Sequence, residues 1–114
     1  MEKEESEYKR ETNAIIASYF EIEGYNHEEN YSEEEVLQVL ANQVAVWMDT
    51  RFEQLMSLMY TMDISEEKVS EALHPLSDSP SNIALAELIY HRQLKRVETK
   101  YKYSQEGPAD WEDF

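Results

Sequence analysis

SEEEVLQVLANQVAVWMDTRFEQLMSLMYTM, residues 32–62, is the stretch that decides how this chain folds. At 3.6 residues per turn, Val36, Leu40, Val44, Trp47, Met48, Phe52, Leu55, Leu58, Met59 and Met62 fall on one broad face. That spacing predicts a single long amphipathic helix. One charge interrupts the face: Arg51, four residues from both Trp47 and Leu55. Either Arg51 is paired inside a packed interior, or the face binds something. Ser32 and Glu35 form a capping box at the start, and Glu33 and Glu34 add first-turn acids that suit the helix dipole. Apolar residues also lie off the main face, at Val39, Val46 and Met56. A helix apolar over so much of its circumference needs neighbours on several sides, and a second copy of the chain is the simplest extra neighbour. The expectation is a homodimer through helix 32–62.

Three further helical segments surround this one. Residues 4–22 carry Tyr8, Thr12, Ile15, Ile16, Tyr19 and Ile22 at helical spacing, with Gly24 as an αL stop. Residues 66–73 form a short helix opened by Ser65, Glu66 and Glu67 and closed by Pro75. Ser81 caps a last helix over 82–103, whose stripe is Ile83, Glu87, Tyr90, Leu94, Val97 and Tyr101. The predicted fold is all-α: a small bundle of three long helices plus one short connecting helix, packed antiparallel. Residues 1–104 are the bundle domain, and residues 105–114, in which Gly107-Pro108 leads into ADWEDF, are an acidic flexible tail.

The chain has 114 residues, which suits one domain burying roughly 65% of its unfolded surface. Three prolines and two glycines, with 31% charged residues, fit a helical protein better than a turn-rich β one. The absence of cysteine excludes disulfides, thiol catalysis and thiolate metal sites. The opening MEKEESEYKR has no apolar core and no run reaches membrane-spanning length, so the expected location is the cytoplasm. A net charge of −15 argues against nucleic-acid and anionic-membrane partners. The charges are also segregated. Arg92, Lys95, Arg96, Lys100 and Lys102 face only Glu98, whereas Glu28, Glu29, Glu33, Glu34 and Glu35 have no base among them. If helices 32–62 and 82–103 run antiparallel, the basic end of one lies beside the acidic start of the other. Each such surface pair contributes only about 0–1 kcal/mol.

Arg51 and Glu87 are the sharpest candidate site, because each interrupts an apolar stripe. The plainer reading is a buried register-setting ion pair, whose loss costs about 3–5 kcal/mol. The functional one is a small-anion pocket, with the guanidinium binding a carboxylate or phosphate. His27, His74 and His91 do not make a metal site: Glu71-x-x-His74 is one E-x-x-H, where di-iron bundles need two. Met48, Met56, Met59 and Met62 suit core packing more than a peptide groove. The stretch from Leu58 to Leu73 resembles a helix-turn-helix, but Asp63 stands where Gly is usual. Its second helix would also present Glu66, Glu67 and Glu71 to the phosphates, so it reads as a helix–helix corner. In the tail, Trp111 and Phe114 among acids resemble the Phe-ended acidic tail of bacterial single-stranded-DNA-binding proteins, without the Pro that precedes the final Phe there. They are the second pair of candidate binding residues.

FEQLMSLMYTMDISEEKV (52–69) and LAELIYHRQLKRVETK (85–100) resemble a group of short bacterial helical proteins with no assigned activity. The resemblance implies a helical fold and no function. No nucleophile–base pair, phosphate loop, cofactor motif or metal set is visible, so an enzyme is not expected. The reading is a non-enzymatic protein–protein interaction module, dimeric and without cofactor. The alternatives are an acidic nucleic-acid mimic and a small-anion-binding bundle centred on Arg51 and Glu87.

Overall fold

The computed structural model describes residues 5–26 and 29–106. Within them the chain is all-helical: α1 (Glu5–Tyr19), α2 (Glu33–Thr50), α3 (Phe52–Thr61), α4 (Glu66–Leu73) and α5 (Ser81–Glu106). The apolar stripe of α5 is the centre of the core. Leu85, Ala86, Ile89 and Tyr90 are all but inaccessible to solvent. Ile16 of α1 and Phe20 just after it, Leu40, Ala41, Val44 and Trp47 of α2, and Ala72 of α4 close around them. Leu55, Met59 and Met62 extend the same cluster from the α3 segment.

The anticipated helix 32–62 is two helices. Arg51 has φ −142° and ψ 46°, outside the helical region, and it separates α2 from α3. Neither Gly nor Pro causes the break. Asp49 and Thr50 are poor helix formers, and the Thr50 hydroxyl donates to the Val46 carbonyl at 2.8 Å, a back-bond that bends helices. The chain resumes at once, since Leu55 N–H donates to the Arg51 carbonyl at 2.9 Å. Turning at Arg51 divides the face that periodicity made continuous. Leu40, Val44 and Trp47 stay inside, as do Leu55, Met59 and Met62, but Phe52 is exposed. Val39 and Val46 also face outward. Met59 and Met62 are core residues, and Met48 and Met56 pack against the core half-buried.

Two of the capping signals operate as read. Ser32 Oγ accepts from Glu35 N–H at 3.1 Å and Glu35 Oε1 accepts from Ser32 N–H at 2.9 Å. Ser65 Oγ accepts from Lys68 N–H at the start of α4. At the start of α5, it is the Pro80 carbonyl that accepts from Ala84 N–H, and Ser81 is already in the helix. α4 stops at Leu73 because Pro75 forces His74 into extended backbone, at φ −69° and ψ 133°.

Two helix ends use acids where glycine is the usual choice. After α1, Glu21 has φ 54°, its N–H donates to Ser18 and Ile22 N–H reaches back to Ala17. After α3, Asp63 has φ 62°, its N–H donates to Tyr60 and Ile64 N–H reaches back to Met59. Both are Schellman ends, with a side-chain residue in the left-handed position. Gly24 is left-handed too, at φ 79°, but it lies in the loop beyond the α1 stop.

Charge segregation is resolved in a different place from that expected. Along α2 and α5, Glu33 meets His91 at 3.8 Å and Asn82 Nδ2 donates to the Ala41 carbonyl at 3.1 Å. This register puts Lys100 about 13 Å beyond the acidic start of α2, at 1.5 Å per residue. α1 answers the basic end instead. Glu11 accepts from Lys100 Nζ at 3.3 Å and from Tyr101 Oη at 2.6 Å, and Tyr8 stacks on Tyr101 at 5.8 Å. Glu33 takes Lys9 of α1, at 3.8 Å.

Asp63→Val should lower stability by about 1–2 kcal/mol, because a β-branched side chain is strained in the left-handed region. Asp63→Gly should be neutral or better, and urea midpoints of the two variants check the pair. The Glu35 carboxylate has its pKa lowered, first by the Ser32 backbone N–H and then by the Ser32 hydroxyl. A lowered folded-state pKa means that the contribution of the cap is complete above the ordinary glutamate range. It is lost as pH falls through the lowered value. Amide exchange in the first turn of α2 should therefore accelerate at acid pH in the wild type. Glu35→Gln keeps an acceptor for Ser32 N–H and should flatten that dependence; equal acid fraying in both proteins would place its origin elsewhere.

Candidate functional site

A broad open groove of about 1450 Å3 runs between α4, the segment that follows it, and the outer side of α5. Its floor is apolar, formed by Ala72, Ala84 and Leu88. Leu76 stands on its rim, 85% exposed. Charges of both signs flank this strip: Lys68, Arg92 and Lys95 against Asp63, Glu67, Glu71, Asp78 and Glu87, with His91 among them. Local chemistry sets the rim. The extended His74 directs the chain out of α4, and His74 Nδ1 accepts from Leu76 N–H at 3.0 Å. Ser77 Oγ then donates to the Ser79 carbonyl at 2.8 Å and tightens the return to α5.

Arg92 fixes the end of the groove. Its Nε donates to the Met62 carbonyl at 2.9 Å, and its Nη2 lies 3.6 Å from Asp63 Oδ2. One guanidinium therefore satisfies an orphan carbonyl of α3 and faces the acid in the left-handed position beside it.

Arg51 and Glu87 are not brought together. Arg51 Nη1 pairs with Glu21 Oε1 at 3.2 Å, and the guanidinium lies over the Trp47 ring, 5.1 Å from its centroid. It clamps the α2–α3 joint onto the end of α1, with its side chain substantially exposed to water. Glu87 is exposed on α5 and lines the groove. The buried register pair and the anion pocket centred on both residues are thereby corrected. The physical reason is the break at Arg51 itself, which turns the guanidinium out of the apolar face. Trp111 and Phe114 lie outside the described residues, as does His27.

Of the other histidines, His74 spends Nδ1 on the Leu76 amide and His91 faces Glu33. Among the described residues, no three histidine or carboxylate side chains converge on a possible metal position. None of the helices described is long and apolar enough to cross a membrane.

A second, smaller cavity of about 180 Å3 lies between α1, the loop after it, and the first turns of α2. Asn13, Ile16, Ala17 and Val36 are among the residues that line it. Asn13 did not figure among the candidate residues. Its position three residues before Ile16 and four before Ala17 was the available signal, since that spacing turns it to the inner face of α1. The groove had no such signal, because Leu76 and the flanking charges come together only through the turn at His74.

No family model matches the chain, and none of the curated proteins or solved structures compared with it shows significant similarity.

Truncation of Arg51 now carries a smaller expectation than a buried pair would. An exposed ion pair contributes about 0–1 kcal/mol and an exposed cation–π contact about 0.5–1 kcal/mol. Arg51→Ala should cost about 1 kcal/mol in equilibrium denaturation. A loss above about 3 kcal/mol, the range for a broken buried pair, would contradict this account of the joint.

Proposed function

We propose that this protein is a non-enzymatic interaction module that receives a polypeptide segment of another protein in the groove between α4 and α5. The observation that carries the reading is the form of the groove. At about 1450 Å3 and open along its length, it exceeds the roughly 300–1,000 Å3 of enclosed small-molecule sites. An apolar strip bordered by both charge signs suits a segment with apolar anchors and mixed charges, whose register the charges would set. The exposed Leu76 supplies an anchor at the rim.

Self-association through the outer face of α2 belongs to the same proposal. Val39 and Val46, seven residues apart, remain about half exposed there. An acidic nucleic-acid mimic is the second reading. It is favoured by the internal neutralisation of Arg92 by Asp63 and of Lys100 by Glu11, which leaves the acidic surface less opposed. It ranks behind because Lys95 and His91 stand in the groove among the acids.

A photo-crosslinking side chain at position 76, compared with one at the equally accessible Tyr60 on α3, tests the groove directly. Position 76 should trap a discrete protein from native extract that position 60 does not, and Leu76→Asp should abolish its capture by affinity pull-down. Identical catches from both positions, or undiminished capture by Leu76→Asp, would rule the groove out. Sedimentation of the wild type against Val39→Lys/Val46→Lys separately decides self-association, which predicts a dimer that the double variant converts to monomer.

A further inference from the structure

The cavity between α1 and α2 has the attributes of a small-molecule site. Ile16 and Ala17 form its floor and are at least nine-tenths buried, Val36 forms a wall, and Val39 stands at its mouth, 46% exposed. Its volume, about 180 Å3, compares with the roughly 150 Å3 that accommodates a benzene ring in an apolar protein cavity. Tyr25 and Tyr31 also line it, and into this mainly apolar setting the chain places one amide. Asn13 is only 6% exposed, and its Oδ1 has no hydrogen-bond partner among the described residues. A buried acceptor left unsatisfied is destabilising, so a donor inside the cavity recovers free energy that the fold otherwise forgoes.

The charged lining residues are acids alone. Glu23 and Glu35 line the cavity and no Lys, Arg or His does. Glu35 is already engaged with Ser32 N–H through its capping box. An anionic guest would meet repulsion without compensation. Size therefore selects a single ring, the walls an apolar one, Asn13 a donor on it, and the acids exclude a negative charge.

We propose that this cavity binds a neutral single-ring molecule carrying one O–H or N–H donor, with the donor on Asn13 Oδ1 and the ring between Ile16 and Val36. The site is separate from the α4–α5 groove, and it shares Val39 with the α2 face proposed for self-association.

Phenol is the probe. Titrated into the full chain and followed by methyl and side-chain amide NMR, it should give saturable shifts of the Ile16, Val36 and Val39 methyls and of the Asn13 amide. Toluene, the same ring without a donor, should bind about tenfold more weakly, the factor that one net hydrogen bond supplies. Benzoate should not saturate. Asn13→Leu, similar in size but without the acceptor, should fold at least as stably and bind phenol and toluene alike. Val39→Trp, at the exposed mouth, should leave the fold intact and block both. Three results would overturn the proposal: failure of phenol to saturate the wild type, as a cavity holding only ordered water predicts; shifts scattered beyond the cavity; or equal affinity of the wild type for phenol and toluene. If Asn13→Leu fails to fold, the Val39→Trp block and the phenol–toluene ratio still decide the matter.

Discussion

Burial of the inner stripe of α5 is the constraint on which the arrangement rests. Leu85, Ala86, Ile89 and Tyr90 sit where α1, α2 and α4 would otherwise leave a void. The outer helices are held to this axis more than to one another. Polar bridges then fix their positions along it: Asn82 on the Ala41 carbonyl, Arg92 on the Met62 carbonyl, and Tyr101 on Glu11. Apolar burial supplies the drive, at about 25 cal/mol per Å2 of surface removed from water. The bridges give register, because a slip of one residue would strand a donor. The groove follows from this division of labour, since a helix as long as α5 has an outer side that the short α4 only partly covers.

Several local signals in the sequence were read correctly, although Ser81 proved to lie inside α5 and Glu21, not Gly24, ends α1. The capping box at Ser32 and Glu35, the start of α4 at Ser65, and its end before Pro75 all depend on chemistry within a single turn. The all-helical class followed from periodicity. The break at Arg51 was missed because hydrophobic spacing continues through it: Trp47, Leu55 and Met59 are all buried, although a joint separates the first from the other two. The warning lay in Asp49 and Thr50, two weak helix formers in succession, and a pattern of apolar positions gives such residues no weight. Once the joint is absent from the reading, Arg51 is drawn inward and Glu87 becomes its natural partner. One overlooked turn thus produced both errors at the candidate site.

Charge placement shows a related limit. Acid and base blocks were visible in the sequence, and Glu33, Arg92 and Lys100 from them do meet opposite charge. Which helix supplies it depends on the offset between α2 and α5, a quantity set by side-chain volumes in the core that no residue pattern displays. Glu11 of α1 was one acid among 25 in the sequence, and only the fold distinguishes it. The unsatisfied amide of Asn13 is a further case, because burial and lack of a partner are properties of position.

The joint between α2 and α3 has a consequence for how this molecule can be observed. With neither Gly nor Pro at the turn, its angle is maintained by a cation lying on an indole that is itself 3% exposed, with the Phe20 ring tilted against that indole at 4.9 Å. An indole in contact with a guanidinium and a phenyl ring is sensitive in emission to small displacements of either. With Trp111→Phe removing the second indole of the sequence, Trp47 is thus a built-in optical gauge of the elbow, able to register movement of α3 relative to α1 without any label.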